Sequence, residues 1–297
     1  MASWQAHAAA MVCKLIIKRP LVKLPTLATI RKTLGAARPN VPRGCVAMDD
    51  VVGGIRGEWI TAHDVTPIGT LLYIHGGAHV TCSPLTHRPI TSWFAKRGWR
   101  VFAPDYRLAP ENQFPAGLED CVAAYRALLV RDDTRKPLVV AGDSAGGNLT
   151  LALCLSLRDL KAPQPAAIAM FSPVLDFTWS GSSSVDNSER CAMFSKDILP
   201  VGAQLYLDKH DPRDPLASPY YADLQGLPPM IFHAGSDEIL RDDSIRVASH
   251  AKQAGLDVQL RTWPVVPHVW QMLHPLIPEA RESLNLVNIF LREHAKP

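Results

Sequence analysis

The sequence predicts an α/β protein with a mostly parallel central sheet flanked by helices on both faces. From about residue 51 onward, short apolar runs bounded by Gly or Pro alternate with longer stretches at helical spacing. The runs Leu71–Ile74 and Leu138–Ala141 are continuously apolar, the pattern of strands buried on both faces. With 297 residues, 47% hydrophobic and 20% charged, the chain has ample material for one large α/β core.

Val51 to Ala62 reads as a hairpin around Gly57, followed by the buried strand Leu71–Ile74 and a helix from Thr86 to Arg97 that Gly98 ends. Arg100–Ala103 is the next strand. Ala116 to Val130 places Leu118, Cys121, Val122, Tyr125 and Leu129 on one helical face, and Leu138–Ala141 follows as a strand. Ser144 to Leu157 is a strongly apolar helix. Strands at Ala167–Phe171 and Met230–Phe232, a helix from Ser244 to Ala254 closed by Gly255, a last strand at Val258–Thr262 and a C-terminal helix complete the alternation. Crossover helices between parallel strands are the simplest topology for this order. Residues 178 to 219 break the rhythm; rich in Ser, Asp and Pro, with one clear helix around Asp197 to Leu207, they read as an insertion over the sheet.

The charge is uneven. Residues 1 to 48 carry eight cations and no acid, so the remainder holds five more acids than cations. Residues 7 to 19 read as a short amphipathic helix that Pro20 terminates, with Met11, Val12, Leu15 and Ile16 on the face expected to pack inward. A transit peptide or a lipid-binding helix has the same signature.

A net charge of +3 gives no argument for nucleic acid as a partner. The longest stretch free of Asp, Glu, Lys and Arg, Val65 to His87, contains Pro67, Gly69, Gly76, Gly77, Pro84 and three histidines, which speaks against a membrane span. The six cysteines are scattered without a C-x-x-C pair, so neither a disulfide framework nor a metal site is expected, and a reducing cytoplasm is the default compartment.

Gly142-Asp143-Ser144-Ala145-Gly146 falls between a predicted strand and a predicted helix, the context that a G-x-S-x-G nucleophile turn requires; the bland alternative is a turn before a core helix. A serine hydroxyl needs a base, an acid that orients the base, and donors for the oxyanion. His75-Gly76-Gly77-Ala78 follows a strand, so N–H groups at Gly77 and Ala78, with that of Ala145, are candidate donors. Asp237, just past the strand at Met230, is the candidate acid, with Glu238 as its rival; Asp242 and Asp243 read as charges in a first helical turn. His268, directly after the last strand and Pro264-Val265-Val266-Pro267, is favoured as base over His250, His274 and His294. No cofactor is implied.

These motifs resemble the hormone-sensitive-lipase-like (family IV) carboxylesterases of the α/β-hydrolase superfamily. The resemblance spans about residues 60 to 275 and includes Asp105 to Glu111, Phe114-Pro115-Ala116, Gly142 to Asn148 and Ser236 to Asp242. It implies an α/β-hydrolase fold, a triad of Ser144, Asp237 and His268, an oxyanion region of Gly76, Gly77, Ala78 and Ala145, and hydrolysis of a small-molecule carboxylic ester. It also implies a helical cap, here residues 1 to 48 and about 178 to 219 over a catalytic domain of residues 49 to 297, and allows for a homodimer. Where the family's loop reads H-G-G-G, Ala78 replaces the third glycine, and its methyl is expected to disfavour bulky esters such as those of tertiary alcohols. An amidase or deacetylase with the same triad, a true lipase and a non-catalytic binding protein are the competing readings.

Overall fold

The computed structural model describes residues 1–131, 133 and 137–295. Its strands are β1 (Cys45–Val52), β2 (Ile55–Ala62), β3 (Gly69–Ile74), β4 (Trp99–Pro104), β5 (Leu138–Asp143), β6 (Ile168–Phe171), β7 (Met230–Gly235) and β8 (Val258–Trp263). They form one sheet in the order β1-β2-β4-β3-β5-β6-β7-β8; β1, β2 and β4 pair antiparallel and all other pairs are parallel. The sheet is thus the mostly parallel one expected, with an antiparallel edge.

That edge corrects one expectation. The hairpin turns at Gly53 and Gly54, both at positive φ (62° and 82°), because a two-residue turn that follows the strand twist needs left-handed backbone at both positions. Gly57 instead lies within β2 opposite Asp50 and Pro104, where an added Cβ would overlap the Ala103 carbonyl.

The helices are α1 (Trp4–Cys13), α2 (Arg19–Lys23), α3 (Leu27–Leu34), α4 (Arg88–Ala95), α5 (Ala116–Val130), α6 (Ala145–Asp159), α7 (Ser183–Asp186), α8 (Ile198–Leu207), α9 (Arg241–Gln253) and α10 (Pro278–His294). Strand alternation divides the core between the two faces. Leu72, Ile74 and Val140 point toward α5, α6 and α9, where Leu118, Leu149, Leu153 and Val247 pack; Leu71, Tyr73 and Val139 point toward α4 and α10, where Phe94, Leu284 and Phe290 pack. These side chains are all within 3% of complete burial, and truncating one such Leu to Ala costs about 2–5 kcal/mol.

Pro20 does not end the first helix. Lys14–Lys18 widen into a π-helical turn that leads directly into α2, and Pro20 sits in the first turn of α2, where a missing N–H is tolerated. The phase of this helix also differs from expectation. Ala6, Cys13 and Leu21 are buried, whereas Met11, Val12, Leu15 and Ile16 face outward. Lys18 fastens the helix by donating to the carbonyls of Ser188 (2.6 Å), Glu189 and Cys191, and Arg31 fastens α3 by a bidentate pair with Glu111. The N-terminal helices and the segment carrying α7 and α8 together form a helical cap over the carboxyl ends of the central strands.

Candidate active site

A cavity of about 270 Å³ lies beneath this cap. Its floor includes Gly77, Ala78, Ser144 and His268, and its walls include Cys13, Ile17 and Leu21 from the N-terminal helix and Ile198, Leu199 and Gly202 from α8.

Ser144 stands between β5 and α6 with φ 51° and ψ −119°, a backbone conformation that costs a non-glycine residue energy and persists only when its surroundings enforce it. The enforcement is visible. Ser144 donates its N–H to the Phe171 carbonyl at 2.8 Å, and its own carbonyl accepts from Asn148 and Val174. The flanking glycines are required for space, since a Cβ on Gly142 would overlap the Gly146 carbonyl and one on Gly146 would overlap the Ile74 carbonyl.

The carboxylate that the structure brings to His268 is that of Glu238, the rival of Asp237 in the sequence reading. His268 Nδ1 donates to Glu238 Oε2 at 2.5 Å, and both side chains are buried. No hydrogen bond or ion pair joins Asp237 to the histidine; its carboxylate is one-third exposed and lies 3.9 Å from Arg190. The physical reason is the turn that ends β7. Glu238 donates its N–H back to the Gly235 carbonyl, which turns residue 238 toward the sheet and residue 237 outward. The remaining oxygen, Glu238 Oε1, accepts from Ser172 Oγ and from the Gly235 N–H, each at 2.6 Å, so the carboxylate is fully engaged at a fixed position.

His268 lines the cavity. The loop that delivers it is strained, with Val265 and Val269 both at positive φ (61° and 50°), rare for β-branched residues. Its Nε2 has no hydrogen-bond partner among the described residues.

Gly77 (φ 119°) and Ala78 (φ 54°) form the turn after β3, and neither their N–H groups nor that of Ala145 have an acceptor among the described residues. Gly76 contributes space: a Cβ there would overlap Asp143 Oδ2 and crowd Ser144. Ala78 therefore keeps the turn at the cost of left-handed strain.

Three supporting residues escaped the sequence reading. Asp143, inside the serine motif, is buried; it accepts from Tyr73 Oη at 2.8 Å and lies 3.2 Å from His87 Nε2. Burial opposes its ionisation, but His87, Tyr73 and His75 outweigh that effect and hold its carboxyl below the usual range. Tyr106 Oη donates to the His75 carbonyl at 2.8 Å and anchors the start of the glycine turn. Ser172, at φ 47° after β6, carries no motif, and only its contact with Glu238 marks it.

A family model described as the alpha/beta hydrolase fold matches residues 71–272. The chain belongs to the hormone-sensitive-lipase-like esterases of this fold. An acetyl-hydrolase of Streptomyces hygroscopicus is 40% identical over 255 residues, covering 85% of this chain and 84% of that protein. An esterase of Acinetobacter venetianus is 37% identical, with 78% and 77% covered. Among solved structures, EstE5 soaked with ethyl alcohol superposes with a TM-score of 0.92 at 35% identity, covering 99% of each chain. An esterase of the bacterial hormone-sensitive lipase family superposes with a TM-score of 0.90 at 36% identity over 100% of both chains. This family membership supports catalytic hydrolase activity of the serine type.

Proposed function

We propose that the protein is a serine carboxylesterase that cleaves short to medium acyl esters through an acyl-enzyme on Ser144. The observation that carries this reading is the His268–Glu238 pair, which opens onto the same cavity as Ser144 while its acceptor nitrogen remains uncommitted.

In the proposed sequence His268 Nε2 takes the proton of Ser144 Oγ as that oxygen attacks the ester carbonyl. The oxyanion that forms accepts from the N–H groups of Gly77, Ala78 and Ala145. These donors are fixed by the turn before the reaction begins, so little reorganisation is needed. Collapse breaks the bond to the alcohol oxygen, which leaves with the proton from His268. Water then attacks the acyl-enzyme by the same route and frees the acid and Ser144. Glu238 orients the imidazole and stabilises its cation throughout.

The cavity lies just below the usual range of roughly 300–1,000 Å³ for ligand pockets, which favours acyl chains of about two to eight carbons. EstE5 has been soaked with p-nitrophenyl butyrate, an ester in that range. The test is hydrolysis of p-nitrophenyl esters of graded length beside a matched pair of phenyl ester and anilide. A maximum at short chains with the ester strongly preferred is expected; a maximum at about twelve carbons or more, or equal turnover of the anilide, contradicts the reading.

A further inference from the structure

The segment Trp4–Lys23 is helical throughout and apolar on two faces. Its inner residues Cys13, Ile17 and Leu21 line the cavity. Its outer face carries Trp4, Met11, Val12, Leu15, Ile16 and Val22, each between 46% and 76% exposed. Single exposed hydrophobes are ordinary on any surface, but six on one helix form a patch that calls for a partner.

The charges carried by this helix itself are of one sign, and the nearest acid to its start is Glu279, whose carboxylate accepts from Ser3. No acid occurs among residues 1 to 48. Lys18 and Arg31 are already engaged by the Ser188 carbonyl and by Glu111, whereas Arg19, Lys23 and Lys32 are exposed. No helix among the described residues is long and apolar enough to cross a membrane, so the pattern is one for lying on a surface.

We propose that this outer face docks on an anionic lipid surface. Trp4, Met11, Leu15 and their neighbours enter the headgroup boundary while Arg19, Lys23 and Lys32 meet the lipid phosphates. The charge distribution favours this occupant over a second copy of the chain, because a two-fold contact through this face brings Arg19 and Lys23 of one copy against those of the other. A bilayer rich in anionic lipid accepts the apolar side chains and the cations at once. Docking places the cavity wall one helix thickness from the membrane, since the two faces belong to the same helix.

Flotation of the full-length chain with vesicles of phosphatidylcholine, alone or mixed with phosphatidylglycerol, tests the proposal. Binding to the mixed vesicles only, weakened by salt, is expected. Met11→Ser combined with Leu15→Ser, and separately Arg19→Gln combined with Lys23→Gln, should each lower the partition coefficient on the order of tenfold. Turnover of a water-soluble ester should stay at the parent level and so report intact folding. Absence of binding to the mixed vesicles, or binding that neither pair of substitutions alters, overturns the proposal. A dimer in sedimentation velocity that Met11→Ser with Leu15→Ser dissolves, without vesicle binding by the parent chain, assigns the face to self-association instead.

Discussion

Glu238 and His268 share a 2.5 Å hydrogen bond in a buried setting, whereas the neighbouring Asp237 lies at the surface 3.9 Å from Arg190. Two adjacent carboxylates thus have separate fates, set by the single turn that ends β7. Glu238→Gln should lower kcat by on the order of 10³- to 10⁴-fold, because the amide cannot hold the imidazole in the productive tautomer or stabilise its cation. Asp237→Asn should stay within about twofold of the parent enzyme, as surface changes do. Steady-state kinetics of both variants decide the assignment, and the opposite ranking returns the role to Asp237.

Ser172 fixes the other oxygen of that carboxylate. Ser172→Ala leaves Oε1 with the Gly235 N–H alone, and kcat should fall by about tenfold while KM changes little, the pattern of a group that positions the acid. A change confined to KM, measured on one short ester, contradicts this positioning role.

Gly202 lines the cavity from α8, and no atom lies within 4 Å of where its Cβ would stand. A side chain at Gly202 therefore starts in open space at its Cβ, Gly202→Trp adds bulk at the cavity wall, and it replaces a poor helix former. The ratio of kcat/KM for an eight-carbon ester to that for an acetate should drop on the order of tenfold. An unchanged ratio places the acyl chain elsewhere.

His79 stacks on Tyr206 with ring centroids 3.7 Å apart, and neither ring nitrogen has a partner among the described residues. Burial, with His75 adding to it, pulls His79 from its ordinary value of 6.5 down to about 3. The unfolded chain therefore binds a proton in that window that the folded chain refuses. The contribution of this one group to stability is complete above about pH 6.5 and is lost as the pH drops toward about 3, by up to ~1.4 kcal/mol per pH unit. His79→Phe keeps the stack and should make the acid slope shallower by that amount, as urea unfolding at several pH values measures. Parallel slopes for the two proteins contradict it.

The sheet was legible in the sequence because its central strands are continuous apolar runs whose burial on both faces leaves little else for them to do. Ser144 was legible because its motif combines glycines that only a crowded turn requires with a strand before and a helix after. The acid was not, since periodicity gives no rule for which of two consecutive residues a tight turn directs inward. Gly57 reads as the hairpin turn in the sequence, but the left-handed pair Gly53-Gly54 forms it. The phase of the first helix is not legible because both of its faces are apolar, so the amphipathic pattern does not say which one meets the core. Ser172 left no signal at all, because its role exists only through a side chain distant in sequence.

In the proposed reaction Ser144 is the group that carries the acyl chain. The most direct test is mass spectrometry of the full-length protein after reaction with a serine-directed phosphonate, followed by peptide mapping. One adduct per chain, located on Ser144, is predicted, together with loss of esterase activity in proportion to labelling. Labelling of another residue, or full activity in a chain modified at Ser144, would contradict the account.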